Sequence, residues 1–185
     1  MIVSFRGRRA QHDHGLSEQV HDLLRRSGSG AATAESLTGG RLAARLSAVP
    51  GASQTYLGGV VSYATSVKIA VLGVPAELVA RHGVVSAACA AAMADGVRAI
   101  TGATHGVATT GVAGPTEQEG KPVGTVFVAV SSPDGVRTTA LELRGTREEI
   151  VERTCDEALQ ALLDALTTDS QPDPQPDPQP DPQPD

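Results

Sequence analysis

A chain whose aromatic side chains are Phe5, Tyr56, Tyr63 and Phe127, and whose apolar positions are largely Ala and Val, cannot fill an interior with large rings. Its core has to be made by close approach of backbones, with little room for larger substitutions. Helices laid tightly on a sheet meet that demand. The length of 185 residues suits one domain with a real core.

The apolar pattern supplies the elements. Val20, Leu23 and Leu24 share a helical face that Ser17 can cap and Gly28 ends. The short apolar run Ala31 to Ala34 predicts a buried strand, and Leu42, Ala43, Leu46 and Val49 mark a helix stopped by Pro50-Gly51. Tyr56 to Tyr63 reads as a second strand, in which Gly58-Gly59 permits a bulge or a close backbone contact. Short helices over Ser66 to Leu72 and Pro75 to His82 precede a long Ala-rich helix capped by Ser86. His105 to Thr110 is a third strand; Val123 to Val130 and Val136 to Leu143, joined by Pro133-Asp134-Gly135, form a hairpin. Thr146 and Glu149 make a capping box for a last helix with Ile150, Leu159, Leu162 and Leu166 on one face. This order predicts an α/β fold, a three-layer α/β/α sandwich with a mixed β-sheet.

Residues 1–15 are expected to be a flexible leader and 16–168 the folded domain. Residues 169–185 are expected to be a disordered tail, because the Gln-Pro-Asp-Pro repeat has no apolar residue whose burial would offset ordering. The stretch from Gln171 to Asp185 holds four of the acidic charges behind a net of -6. What remains is too near neutral for non-specific nucleic-acid binding. No stretch has the apolar length of a signal peptide or a membrane span. Cys89 and Cys155 sit in apolar helical patterns and suit reduced core positions in a cytoplasmic protein. His82 and His105 lack partners at metal-ligand spacing, so no metal site and no cofactor are expected. A small-molecule partner is left as the expectation.

Three places can carry chemistry. In Glu35-Ser36-Leu37-Thr38-Gly39-Gly40, glycines between strand and helix let backbone N–H groups face an anion at the helix N-terminus, with the Ser36 and Thr38 hydroxyls as further donors. Its plainer reading is a helix cap and a turn. Ser53, Tyr63 and Lys68 form the second set: a serine attacks a carbonyl once a base takes its proton, and a buried lysine can be that base. Its plainer reading is a turn serine, a strand tyrosine and a solvated lysine. The third is the loop from Gly111 through Val112, Ala113 and Gly114 to Pro122, with Lys121, at the end of a strand where open α/β sheets hold ligands. Arg147, beside the capping box, suits a bidentate phosphate contact or plain solvent exposure.

Six ordered motifs together carry a resemblance: Ala34-Glu35-Ser36-Leu37-Thr38-Gly39-Gly40, Pro50-Gly51-Ala52-Ser53, Ser62-Tyr63 with Lys68, His82-Gly83-Val84-Val85-Ser86, Gly111-Val112-Ala113-Gly114-Pro115 and Lys121-Pro122-Val123-Gly124-Thr125-Val126. The segment from about Leu16 to Leu166 resembles the CinA C-terminal domain family, the nicotinamide-nucleotide amidases. The resemblance implies hydrolysis of nicotinamide mononucleotide to nicotinate mononucleotide and ammonia, without a metal, by a cytoplasmic homodimer or higher homo-oligomer. It implies a Ser, Tyr and Lys arrangement, which lands on Ser53, Tyr63 and Lys68, with Ser36 next in line as nucleophile. Substrate contacts are expected from Glu35, Ser36, Thr38, Gly39, Gly40, Gly111, Ala113, Gly114 and Arg147, and oxyanion donors from the Ser53 turn or a facing glycine loop. The molybdopterin-binding-like domain of longer CinA proteins, with its metal-dependent pyrophosphatase activity, is expected to be missing. A non-enzymatic nucleotide-binding competence module and an amidase for another small carboxamide stay open as alternatives.

Overall fold

The computed structural model describes residues 14–169. The expected leader and tail therefore lie outside the described residues, except that His14 and Gly15 open the first helix and Asp169 closes the last. The elements run α1 (His14–Ser27), β1 (Ala31–Glu35), α2 (Arg41–Ser47), β2 (Tyr56–Val61), α3 (Thr65–Ala70), α4 (Ala76–His82), α5 (Ala87–Thr101), β3 (His105–Gly111), β4 (Thr125–Ser132), β5 (Gly135–Glu142) and α6 (Arg147–Asp169). A 3-10 turn, Ala52–Gln54, precedes β2. Helix α1 starts ahead of Ser17, which is buried within its first turn rather than capping it.

The five strands form one mixed sheet in the order β2-β1-β3-β4-β5. β1 is parallel to both β2 and β3, and β4 is antiparallel to β3 and β5. Alternation along the strands divides the core. Ala31, Val107, Val126, Val128 and Val130 face a layer built on Val20, Leu24, Leu42, Ile150, Leu159 and Leu162. Ala32, Ala34, Ala108 and Ala129 face the layer of Cys89, Ala90, Met93, Ala94 and Val97 from α5. The two cysteines are free, buried and on opposite faces.

Small residues set the spacing of that second layer. A Cβ added at Gly106 in β3 would lie 2.1 Å from the carbonyl oxygen of Ala94 in α5, so helix and strand touch backbone to backbone. At the sheet edge both expectations for the glycine pair hold. The β1–β2 register shifts between Ala31 and Ala32, where Gly58 adopts φ 138°, and a Cβ on Gly59 would meet Thr33 Oγ1 at 2.2 Å. Ser86 caps α5 by accepting from the Cys89 N–H, and Thr146 and Glu149 exchange both bonds of the capping box.

This topology gathers the carboxyl ends of β1, β2 and β3. Chain leaves β1 through α2 on one face, returns as β2, and crosses through α5 on the other face to β3. A crevice at the ends of such strands is where an open sheet accommodates a ligand.

Candidate active site

Lys68 is the centre of that crevice. It lies in α3 and is only 1 % exposed, the largest fully buried side chain among the described residues. Its Nζ stands 2.9 Å from Ser36 Oγ, 2.5 Å from the Ser62 carbonyl oxygen and 3.5 Å from that of Tyr63. Ser36 follows the last residue of β1, and Ser62 and Tyr63 follow the last residues of β2. Parallel pairing of the two strands, Glu35 opposite Val61, is what brings serine and lysine together across 32 residues of chain. Burial pushes the Lys68 amine below its ordinary pKa, while Cys89 and Glu119 pull it the other way.

The pocket above this pair has a volume of about 350 Å³, enough for a small nucleotide-sized ligand. Its apolar walls come from Leu37, Val84, Val85, Val112 and Ala113. Arg147 enters from the start of α6, donating 2.6 Å to the Gly114 carbonyl and 3.1 Å to the phenol oxygen of Tyr63.

Several sequence expectations are corrected by this geometry. Ser53 is exposed on the 3-10 turn ahead of β2, whereas Tyr63 and Lys68 follow that strand. The strand's six residues put roughly 20 Å between the two groups at about 3.3 Å per residue. The serine hydroxyl that faces Lys68 is that of Ser36. Tyr63 joins the site by its carbonyl to Lys68 and by its 63 % exposed ring to Arg147, not by a phenol bond to the amine.

The helix N-terminus expected to receive an anion is already filled. The carboxylate of Glu35, 1 % exposed, accepts from the N–H groups of Gly40 at 2.9 Å, Leu42 at 3.1 Å and Ala43 at 2.8 Å. An internal carboxylate thus neutralises the helix end, and Glu35, Gly39 and Gly40 serve the turn rather than the pocket. Thr38 is buried on Thr109, their hydroxyls 2.8 Å apart, and caps nothing. Ser36, Gly111, Ala113, Gly114 and Arg147 do line the pocket, with Tyr63 and Lys68. The Ser62 carbonyl and the Val84–Val85 wall were missed; a backbone acceptor leaves no mark in side-chain chemistry, and two valines read as core.

A mixed α/β/α sandwich holding a buried lysine amine against a serine hydroxyl, at the carboxyl ends of its parallel strands, is the class of protein this fold and pocket define. The chain belongs to the CinA C-terminal domain family, which matches residues 13–166. It is 53% identical over 138 residues to a CinA-like protein of Frankia casuarinae, covering 75% of this chain and 32% of that one. It is 49% identical over 152 residues to a CinA-like protein of Anaeromyxobacter dehalogenans, covering 82% of this chain and 37% of that one. The chain therefore spans about a third of the length of these curated relatives. Among solved structures, a CinA superfamily protein of Klebsiella pneumoniae superposes with TM-score 0.83 at 36% identity, covering 85% of this chain and 99% of that one. The competence/damage inducible protein of Agrobacterium tumefaciens superposes with TM-score 0.80 at 32% identity, covering 90% and 99%. Among the described residues no helix is long and apolar enough to cross a membrane.

Proposed function

We propose that this protein is an amidohydrolase that converts nicotinamide mononucleotide to nicotinate mononucleotide and ammonia, with Ser36 as nucleophile and Lys68 as its base. The observation that carries the reading is the 2.9 Å contact between a buried lysine amine and a serine hydroxyl inside a pocket. A neutral amine has two N–H groups and one lone pair. The carbonyls of Ser62 and Tyr63 take the two N–H groups, which leaves the lone pair for the Ser36 hydroxyl proton.

In the first half-reaction Ser36 Oγ bonds to the carboxamide carbon as its proton passes to Lys68 Nζ. The C–N bond then breaks, and that proton returns to the departing nitrogen, releasing ammonia and leaving an acyl-serine. In the second, water gives a proton to Lys68, attacks the ester carbon, and frees the carboxylic acid and the serine. We assign the oxyanion to backbone N–H groups of Leu37 and of the Ala113–Gly114 segment on the pocket wall. With the α2 terminus occupied by Glu35, the substrate phosphate goes to Arg147, a cation that spends two donors on Gly114 and Tyr63 and keeps the rest of its fork. We further propose a homodimer, which light scattering giving a monomer at all concentrations would refute.

Ammonia release from nicotinamide mononucleotide by purified protein tests the assignment, with nicotinamide riboside, nicotinamide, Ser36→Ala and Lys68→Met alongside. Release that both variants abolish supports it. No release, with the mononucleotide still bound, would leave a nucleotide-binding module instead.

A further inference from the structure

Glu119 is the one non-glycine among the described residues with a positive φ, 53°. It sits at the exposed tip of the β3–β4 loop, where Gln118 and Lys121 exchange backbone bonds of 3.2 and 2.9 Å around Glu119 and Gly120, the latter with φ 68°. Two consecutive left-handed positions in a two-residue turn favour Asn, Asp or Gly, and glutamate there is held against its backbone preference. The side chain supplies the reason. One carboxylate oxygen accepts from the Val84 N–H at 3.1 Å, the other from the Val85 N–H at 3.1 Å. Gly83 makes room for it, since a Cβ at that position would lie 2.3 Å from Glu119 Oε2.

The two segments joined by this contact border the pocket. Val84 and Val85 line it from one side, and Gly114, Thr116, Glu117 and Gln118 line it from the loop. The Val84 carbonyl is anchored separately by the Thr110 hydroxyl at 2.7 Å, so the valine segment is gripped at its N–H groups by the loop and at its C=O by β3. Resting on the reading of Ser36 and Lys68 as the reactive pair, we propose that Glu119 is a positioning residue. Its carboxylate ties the loop to the Val84–Val85 wall and holds the pocket at the width of a flat pyridine carboxamide.

The same carboxylate bears on the base. Glu119 from the loop and Cys89 from α5 act on the Lys68 amine, while Arg147, Glu117 and Tyr63 complete the titratable lining of the pocket. Burial drives the Cys89 thiol up to about 11, and Cys89 and then Glu119 oppose the effect of burial on the Lys68 amine.

The test compares wild type with Glu119→Gln and Glu119→Ala by three readings. Amide hydrogen exchange at Val84 and Val85 is expected to quicken about 10-fold or more while amides of β3 keep their wild-type rates. An NMR titration of the Lys68 Cε–Hε signal is expected to move to lower pH in both variants. KM for nicotinamide mononucleotide is expected to rise about 10-fold with kcat much less affected. Unchanged exchange at the two valines would overturn the tie, and faster exchange with unchanged KM would overturn the positioning role. If wild type releases no ammonia at all, the amidase reading falls, while exchange and the Lys68 titration still decide whether Glu119 holds the wall and faces the amine.

Discussion

In the proposed mechanism, the Ser36–Lys68 contact depends on which protonation state Lys68 holds. As an ammonium it presents three donors to Ser62, Tyr63 and Ser36; as an amine it keeps two and turns a lone pair to Ser36. Because burial lowers its pKa, kcat/KM should rise with pH through that lowered value and then level off. The stability link has the same sign. Between the folded pKa and the ordinary value of 10.5, the unfolded chain binds more protons, so stability rises with pH across that window. Ser36→Ala should lower kcat by roughly 10⁴-fold or more, whereas Ser53→Ala, far along β2, should leave it near wild type; steady-state ammonia assays separate them. Arg147→Ala should raise KM for the mononucleotide about 10-fold and leave that for the riboside nearly unchanged. At this scale the sequence named the lysine but put Ser53 ahead of Ser36 as its partner, because the distance across two strands that pairs Ser36 with Lys68 is not written in any one stretch of chain.

Among the elements, α2 shows how local chemistry was legible in kind and misplaced in detail. The Gly39-Gly40 turn and a helix after it follow from the sequence, but the capping group is Glu35 from the strand before, not Thr38. A carboxylate reaching forward five to eight residues resembles no short cap pattern. Glu35→Gln removes the charge and one acceptor from three N–H groups at the helix start, one buried and two part-buried, and should cost about 3 kcal/mol. For a chain of this size that is a fall of about 6 to 12 °C in melting temperature, measurable by calorimetry. Helix α5 makes the complementary case. Gly106→Ala should cost about 1 to 3 kcal/mol through overpacking, since its Cβ would enter the backbone of Ala94. Denaturant titration would read it.

For the whole molecule, the three-layer sandwich follows from the alternating strand and helix patterns, and the motifs carried the family. Strand and helix periods, glycine turns, the Ser86 cap and the Thr146–Glu149 box are local, so a single stretch of chain states them. The scarcity of aromatic residues foretold backbone-close packing, met at Gly106 against α5 and at Gly59 against Thr33. Strand order, the pairing of Glu35 with Val61, and the reach of Glu119 to Val84 and Val85 are not local. They arise only when crossovers on opposite faces bring the ends of β1, β2 and β3 side by side. The sequence by itself thus determined the elements, the family and the residue types of the site. Tertiary structure alone decided that Ser36 rather than Ser53 meets Lys68, because β2 runs parallel to β1 and ends where β1 ends, so that Ser36 lies at the carboxyl ends of the two strands and Ser53 at the amino end of β2.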